Sequence, residues 1–306
     1  MMGQCNSIDE VLTRLEEQQY LADRSLATAI FLCIKLERPL FIEGEPGVGK
    51  TAVAQALAKI FDVPLIRLQC YEGIDRESAL YEWNYPKQLL TIRMQENSWR
   101  SHETMELSLY QEEFLLKRPL FDALRPRGPA PVLLIDEIDR SDDEFEAFLL
   151  EILSEFQITI PELGTIKAQE KPFVVLTSNR TRDVHDALKR RCIYHWLDYP
   201  SFERELAIVR MKVPGLDARL AEDIVRYVQG LRQHPFDKRP GLAETLDWAK
   251  ALEVLLVNQL NAQLIEETIG CLLKDRDDLM MLQSGTSLNL MERILREIED
   301  HDGAST

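Results

Sequence analysis

Gly44-Glu45-Pro46-Gly47-Val48-Gly49-Lys50-Thr51 matches every position of the phosphate-binding loop pattern G-x-x-x-x-G-K-[ST]. The loop follows a short apolar run at 39–42 that predicts a buried strand, and it precedes residues 52–59, which predict a helix. A strand, a glycine loop and a helix in this order direct backbone N–H groups toward a polyphosphate. The stretch therefore predicts an α/β fold with a nucleoside triphosphate site.

The residue types within this loop have separate chemical roles. Its glycines let the main chain approach a phosphate closely, because no side chain intervenes. Lys50 is expected to contact the β- and γ-phosphates, and the Thr51 hydroxyl is expected to ligate Mg²⁺. A chance glycine turn is the simpler explanation, but it does not account for the flanking strand and helix.

The composition narrows the possible partners. The chain has 306 residues, a formal net charge of −16 and 45% hydrophobic residues, which predicts about two globular domains. An acidic chain without a lysine- or arginine-rich run is expected to bind neither nucleic acid nor an anionic membrane. Five widely spaced cysteines indicate reduced thiols. With a polar N-terminal region and no apolar stretch long enough to span a bilayer, the protein is expected to be cytoplasmic.

The order of elements predicts a parallel sheet followed by a helical domain. Apolar runs at 40–42, 64–68, 131–135, 173–176 and 193–197 indicate buried strands. After Pro200 helical periodicity dominates, with helices predicted at 203–212, 217–233, 242–263 and 288–298 and Ser201 as an N-cap. We therefore expect an α/β nucleotide-binding domain at 1–200, a smaller all-helical domain at 201–300 and a frayed tail at 301–306.

Further polar residues follow the predicted strands. Asp136 and Glu137 end the run 132–135, where Asp136 would hold Mg²⁺ and Glu137 would polarise the attacking water. Solvated acids at a strand end are the alternative for this pair. Asn179 ends the next strand and is expected to hold the water or the γ-phosphate, although asparagine also favours turns.

Two more features have explanations in local chemistry. Ser141 and Glu144 have the spacing of a capping box for a helix at 146–153, which makes the acids around them cap and dipole partners. Arg190 and Arg191 close a short helix before the last strand. In isolation they are explained equally well by compensation of the helix dipole.

Taken in order, these motifs resemble an AAA+ ATPase, and the stretches 116–121 and 149–155 are similar to its MoxR group. The resemblance implies ATP and Mg²⁺ as ligands, with the loop residues 44–51 and Asp136 holding them. It implies that Asn179 is sensor 1 and that Arg190, with Arg191 as the rival, is the arginine finger of a neighbouring subunit. It also implies a homo-oligomeric ring, expected to be a hexamer, that acts with a von Willebrand A-type partner on a client enzyme.

Two inserts match the MoxR group, and one position departs from its pattern. Residues 158–168 predict the hairpin that MoxR-like proteins carry, and residues 72–99 occupy the place of their helix-2 insert. The insert aromatics Tyr81, Trp83 and Tyr85 form either a partner-facing patch or ordinary packing. Gly241 stands where the sensor 2 arginine is expected, which leaves Lys238 or Arg239 to replace it.

The stretch 239–248 is most similar to the CoxD-like branch, which is associated with maturation of molybdenum-containing carbon monoxide dehydrogenase. The function expected is therefore ATP hydrolysis that drives remodelling or activation of a partner enzyme. The alternatives are a nucleic-acid-associated motor or loader, disfavoured by charge, and a nucleotide-dependent switch without rapid turnover, disfavoured by Glu137. The sequence leaves the client, the ring size and the preference between ATP and GTP open.

Overall fold

The strands lie where short apolar runs occur in the sequence. The computed structural model describes residues 5–95, 109–161 and 163–283. In these ranges the strands are β1 Leu40–Glu43, β2 Leu65–Gln69, β3 Tyr81–Trp83, β4 Leu115–Lys117, β5 Val132–Asp136, β6 Gln157–Ile160, β7 Gly164–Lys167, β8 Phe173–Ser178 and β9 Ile193–Trp196.

Five of these strands form one parallel sheet in the order β2-β5-β8-β1-β9. Every residue of β1, β5 and β8 is buried, as expected for central strands covered on both faces. The five strands predicted from apolar runs are confirmed. Because all five run in one direction, the residues that follow β1, β5 and β8 reach the same edge of the sheet.

Helices connect and cover the strands. Their bounds are α1 Ile8–Glu17, α2 Arg24–Leu36, α3 Lys50–Phe61, α4 Arg76–Ala79, α5 Tyr85–Gln95, α6 Pro119–Leu124, α7 Asp143–Glu155, α8 Asp186–Lys189, α9 Phe202–Lys212, α10 Ala218–Arg232, α11 Leu242–Val254, α12 Ala262–Thr268 and α13 Arg276–Gln283. Among the residues that the structure describes, no helix has the length and apolar character needed to cross a bilayer.

The described chain forms two compact units. The first contains the described residues up to Gln18, Ala22–Gly44 and Lys50–Trp196, and the second contains Gln19–Leu21, Glu45–Gly49 and the described residues from Leu197 onward. The core of the second comes mainly from helices and includes the buried Trp248 and Tyr227, whose ring centroids are 5.5 Å apart. The domain boundary expected at residue 200 remains a prediction.

Both inserts expected in the first unit contain regular structure. Strands β6 and β7 pair antiparallel, which confirms the predicted hairpin. In the helix-2 insert, β3 pairs antiparallel with β4 and α5 follows. Tyr81 and Trp83 pack against the main core, whereas Tyr85 is 60% exposed. Of the three aromatics only Tyr85 is exposed, although all three line one pocket.

Two local predictions are wrong, and two others concern residues outside the described ranges. The capping box at Ser141 is wrong, because Asp142 caps α7 by accepting a hydrogen bond from the Phe145 N–H at 2.9 Å. The Ser141 hydroxyl instead donates to the Ile138 carbonyl at 2.8 Å. The single helix predicted at 242–263 is wrong as well, since α11 ends at Val254 and Asn261 caps a new helix. The predicted helix 288–298 and tail 301–306 lie outside the described residues.

Candidate nucleotide-binding and hydrolysis site

Gly44, the first residue of the phosphate-binding loop, is hydrogen-bonded to the parallel sheet. The Gly44 N–H donates to the Ser178 carbonyl at 3.3 Å, which continues the pairing of β1 with β8. The Lys50 ammonium is 7% exposed and donates to the Gly44 carbonyl at 2.6 Å. Gly47 and Gly49 have φ of 75° and 96°, in the left-handed region that favours glycine. The main chain thus adopts the curved path that a phosphate-binding loop needs.

Asp136 gathers polar groups from three elements at the edge of the sheet. Its carboxylate accepts hydrogen bonds from the Thr51 hydroxyl at 3.2 Å and the Thr177 hydroxyl at 2.5 Å. The Arg67 Nε donates to it at 2.9 Å. Asp136 itself is only 3% exposed. The structure therefore brings together Thr51 and Asp136, the two residues predicted to hold Mg²⁺.

Arg67 is a site residue that the sequence interpretation missed. It lies in the edge strand β2, and its register places it two residues before Gln69, which pairs with Asp136. Residues two apart in a strand point to the same face, so the alternation of β2 already placed Arg67 and Gln69 together. A charged residue within an otherwise apolar strand was the available signal.

The donor set at Asp136 fits Mg²⁺ carried in with a nucleotide. Mg²⁺ prefers oxygen ligands and usually takes only one or two from the protein, leaving the rest to water and phosphate. A hydroxyl and a buried carboxylate within hydrogen-bonding distance supply such a pair. No cluster of three or more His, Cys, Asp or Glu side chains able to hold a metal occurs among the described residues.

Glu137 follows the buried strand in a more open setting. Its backbone is left-handed, with φ 55° and ψ 50°, and its N–H donates to the Thr177 hydroxyl at 3.0 Å. Its side chain is 31% exposed, and the carboxylate accepts from the Arg140 guanidinium at 3.1 Å. A left-handed backbone at a non-glycine residue is strained by about 1–3 kcal/mol, and the hydrogen bond to Thr177 helps to hold it.

Asn179 follows β8 at the same edge, and Asp139 fixes its backbone. The Asp139 carboxylate, 2% exposed, accepts from the Asn179 N–H at 3.2 Å, the Thr181 N–H at 2.9 Å and the Thr181 hydroxyl at 2.7 Å. The interpretation of Asp139 as a cap or dipole partner is wrong, because its carboxylate oxygens accept hydrogen bonds from the turn after β8. Asp139 thus positions the residue expected to be sensor 1.

Arg190 and Arg191 lie at the end of α8 with exposed side chains. The Arg38 guanidinium donates to the backbone carbonyls of both residues, with 3.0 Å from Nε to the Arg191 oxygen. This contact fixes the main chain beneath the two side chains. The structure does not bring either guanidinium into contact with Lys50, Asp136 or Glu137 within the described part of the same chain.

Glu43, the residue before the loop, is a second site residue that the sequence interpretation missed. It is 4% exposed, and its carboxylate accepts from the Tyr194 hydroxyl at 2.9 Å and the Ser178 hydroxyl at 3.2 Å. The Lys189 ammonium of α8 is 3.9 Å away. Burial, and then the hydrogen bond to Glu43, raise the pKa of Tyr194 to about 12. A charged residue at the end of an apolar strand was again the available signal.

The candidates for a sensor 2 replacement precede α11. The Lys238 ammonium pairs with the Asp275 carboxylate at 2.9 Å, while Arg239 lines a cavity of about 580 Å³ within the second unit. Gly241 is the N-cap of α11, with its N–H donating to Glu244 at 2.9 Å. No arginine therefore takes the place at position 241 that the resemblance gives to sensor 2.

Relatives of known sequence share much of the chain's length. A protein of Staphylococcus haemolyticus, described as uncharacterized, is 24% identical over 284 residues, which cover 89% of this chain and 99% of the relative. The gas vesicle ATPase GvpN of Haloferax mediterranei is 24% identical over 230 residues, covering 71% of this chain and 64% of that protein.

Solved structures also resemble the chain. A putative ATPase from Cytophaga hutchinsonii is similar with a TM-score of 0.47 and 17% identity, covering 94% of this chain and 93% of that one. The RuvB Holliday junction branch migration motor of Thermotoga maritima has a TM-score of 0.46 and 16% identity, covering 89% of this chain and 73% of that one.

The family model of the AAA domain, dynein-related subfamily, matches residues 39–192. This match covers half of the 306 residues and includes the phosphate-binding loop, Asp136, Glu137 and Asn179. The chain therefore belongs to the AAA domain family, dynein-related subfamily, and is an ATPase.

Proposed function

We propose that the protein hydrolyses ATP with Mg²⁺, in a ring of identical subunits, to remodel or activate a partner enzyme. The contact of the Thr51 hydroxyl with the Asp136 carboxylate at 3.2 Å supports the hydrolytic part most directly. It joins the end of the phosphate-binding loop to the strand that Glu137 follows. Mg²⁺ bound there would neutralise developing charge on the phosphates.

The chain's own residues divide the remaining work. The Lys50 ammonium, now satisfied by the Gly44 carbonyl, is positioned to exchange that contact for phosphate oxygens. The Glu137 carboxylate is accessible to a water molecule, and a carboxylate can orient and polarise a nucleophilic water. Asp136 stays buried and holds its position through Thr177 and Arg67.

The test of nucleotide binding compares two lysines in one helix. Lys50→Ala removes the buried phosphate-facing charge, and Lys59→Ala removes an exposed charge from the last turn of the same helix. Lys50→Ala should abolish tight ATP binding and phosphate release, while Lys59→Ala should resemble the wild type. Equal behaviour of the two variants would reject the assignment of the loop.

Assembly into a ring is the second part of the proposal. Arg190 and Arg191 are exposed on a backbone held by Arg38, and an exposed arginine at this position suits a role across a subunit interface. Such an arginine stabilises charge on a transferring phosphoryl group. We propose that Arg190 completes the site of a neighbouring subunit, with Arg191 as the rival residue, in a hexamer.

Mixing two inactive variants tests this directly. Arg190→Ala lacks the finger and Glu137→Gln lacks the acid, so a mixed ring contains some interfaces with both intact. ATPase activity should reappear on mixing and should rise with protein concentration in the wild type. An activity per subunit that does not depend on concentration, with no rescue on mixing, would indicate a monomeric enzyme. The same experiment with Arg191→Ala identifies which arginine acts.

The partner is the third part of the proposal. The MoxR-like and CoxD-like resemblance supports a von Willebrand A-type partner and a metalloenzyme client of the molybdenum carbon monoxide dehydrogenase kind. The helix-2 insert offers exposed apolar side chains on α5, with Tyr85 60% and Leu89 61% exposed. Apolar residues exposed together on one element are typical of protein contact sites.

Capture from the host extract tests the client. A Glu137→Gln protein loaded with ATP should retain the partner, because the ATP state persists. In that background, Leu89→Ala should reduce recovery, while Leu36→Ala, at a leucine of α2 that is 55% exposed, should not. Equal recovery from both would exclude α5 as the contact. Recovery of DNA together with salt-sensitive stimulation of ATPase activity would instead favour a nucleic-acid motor.

A further inference from the structure

Helix α11 begins in direct contact with the phosphate-binding loop residues that belong to its own compact unit. The Ala243 N–H donates to the Gly47 carbonyl at 3.0 Å. A Cβ atom placed on Gly241 would stand 2.8 Å from the Pro46 carbonyl oxygen and 2.9 Å from the Gly47 Cα. Such distances are shorter than real Cβ contacts, and both atoms are main chain. Gly241 therefore allows two stretches of backbone to touch.

The need for glycine at position 241 comes from this approach and not from backbone strain. Gly241 has φ −83° and ψ −175°, an extended conformation that any residue adopts. Gly270, by contrast, lies in the same unit with nothing within 4 Å of its hypothetical Cβ. A methyl group would thus clash with neighbouring backbone at Gly241, whereas at Gly270 it would meet no neighbouring atom.

A buried ionic network holds the start of α11 in place. The Glu205 and Arg232 side chains, 0% and 7% exposed, form an ion pair at 2.6 Å. Arg232 Nε donates to the Pro240 carbonyl at 2.7 Å, and the Thr245 hydroxyl donates to the Gly241 carbonyl at 3.0 Å. Both carbonyls that precede α11 are therefore bound to buried side chains. The network fixes the position from which Ala243 reaches Gly47.

The contact determines how one loop amide points. In a trans peptide the C=O of one residue and the N–H of the next point in opposite directions. Ala243 holds the Gly47 carbonyl toward α11, so the Val48 N–H is directed away from it. We propose that residues 240–244 are a positioning element that preorganises the phosphate-binding loop. This role rests on the proposed binding of ATP at that loop.

Backbone stands at position 241 where the resemblance expects a long side chain. The resembled family places an arginine at position 241 to reach the nucleotide, whereas here the main chain itself reaches the loop. An arginine introduced at Gly241 would bring a Cβ into the same clash with Pro46 and Gly47. Gly241→Arg should therefore weaken nucleotide binding, although it restores the residue type of the family.

The test compares two glycine-to-alanine variants of the full chain. Gly241→Ala should weaken binding of a fluorescent ATP analogue at least tenfold, with kcat at saturating ATP changed less than threefold. Gly270→Ala should bind and hydrolyse like the wild type. Thermal unfolding without nucleotide checks that both variants fold. A purely structural role of Gly241 would raise the apparent Kd only by the reciprocal of the folded fraction, so a tenfold loss of affinity in a variant that is almost fully folded without nucleotide excludes it.

Further variants cover the remaining outcomes. If Gly241→Ala does not fold, Glu244→Ala removes the acceptor of the Gly241 N–H together with the carboxylate that lies beside Gly47, and it should weaken binding several-fold. The inference is overturned if Gly241→Ala folds and binds ATP as tightly as Gly270→Ala does. It is also overturned if Gly241→Ala does not fold and Glu244→Ala binds ATP with unchanged affinity. A wild type that binds no ATP would remove the proposed function itself and this inference with it.

Discussion

Glu137 and Asp139 stand two positions apart after the same strand, yet their surroundings are opposite. The Glu137 side chain is 31% exposed and its carboxylate contacts the half-exposed Arg140. Asp139 is 2% exposed, and its carboxylate accepts two backbone N–H groups and one hydroxyl from the turn after β8. The Glu137 carboxylate is therefore accessible to a ligand, whereas the Asp139 carboxylate is fully used in hydrogen bonds within the fold.

The difference shows how to separate chemistry from architecture in an acidic stretch. A buried carboxylate that accepts several hydrogen bonds is an anchor, because removing an acceptor leaves buried donors unsatisfied. A partly exposed carboxylate with a single flexible partner can leave that partner when a substrate arrives. Both residues are acids in one short stretch of sequence, so only the contacts distinguish them.

The strongest test of this comparison is catalytic. Glu137→Gln keeps the shape of the side chain but cannot polarise water as a carboxylate does, so steady-state phosphate release should fall about 10²–10⁴-fold. ATP binding should be retained. Asp139→Asn, measured at a temperature where it is folded, should lose much less activity. If the two variants lost activity equally, Glu137 would have no special catalytic role.

The second test measures stability, for which the larger effect is expected from Asp139→Asn and the smaller from Glu137→Gln. Asp139→Asn leaves donors of Asn179 and Thr181 without a full set of acceptors, and it should lower the free energy of unfolding by about 1.5–3 kcal/mol. Glu137→Gln should change it by less than about 0.5 kcal/mol, because its carboxylate is partly exposed and is paired with the exposed Arg140. Urea unfolding of both variants gives the comparison. A stable Asp139→Asn protein would contradict the anchoring role.

A smaller effect is expected from the partner of Glu137. Arg140 is 56% exposed, and an exposed ion pair contributes about 0–1 kcal/mol. Arg140→Ala should therefore leave stability almost unchanged and should alter phosphate release only several-fold. Salt titration of the wild-type rate checks the same contact. Loss of activity as large as that of Glu137→Gln would show that Arg140 takes part in the chemistry.

The smallest effect on stability at neutral pH is expected from Cys70, a buried thiol close to Asp136 and Asp139. Burial raises the pKa of the Cys70 thiol to about 12, and the nearby Asp136 and Asp139 add to it. Because the folded-state pKa lies above the unfolded value of 9.0, the stabilisation is complete below pH 9 and is lost as pH rises toward 12. Denaturant unfolding of the wild type and of Cys70→Ala at pH 8 and pH 10 measures this, because the wild type should lose more stability than the variant. An equal loss in both proteins would contradict the role of Cys70.

Much of the fold is predictable because it rests on local patterns. Continuous apolar runs predict the strands, and a motif whose glycines are required by backbone geometry predicts the loop. The end of α11 at Val254 is not predicted, because Leu255 and Leu256 continue the apolar character and hide the break. Asn261, an N-cap residue type, is the sign that a new helix begins.

The parts of the site that sequence alone did not reveal are contacts between distant segments. Arg67 reaches Asp136 only because β2 pairs with β5. Asp139 serves Asn179 because the turn after β8 lies beside the end of β5. Gly241 requires its lack of a side chain because it meets Pro46 and Gly47. No local pattern carries this information, since each depends on which segments the fold brings together.

The Glu43 carboxylate has a consequence for motion. It ties β1 to β8 through Ser178 and to β9 through Tyr194, one residue before the loop begins, and the Gly44 N–H is bonded to β8 as well. Amides bonded within a sheet exchange hydrogen only when a cooperative unit opens. The Gly44 amide should therefore exchange as slowly as the amides of the sheet beside it, although it is the first residue of a loop.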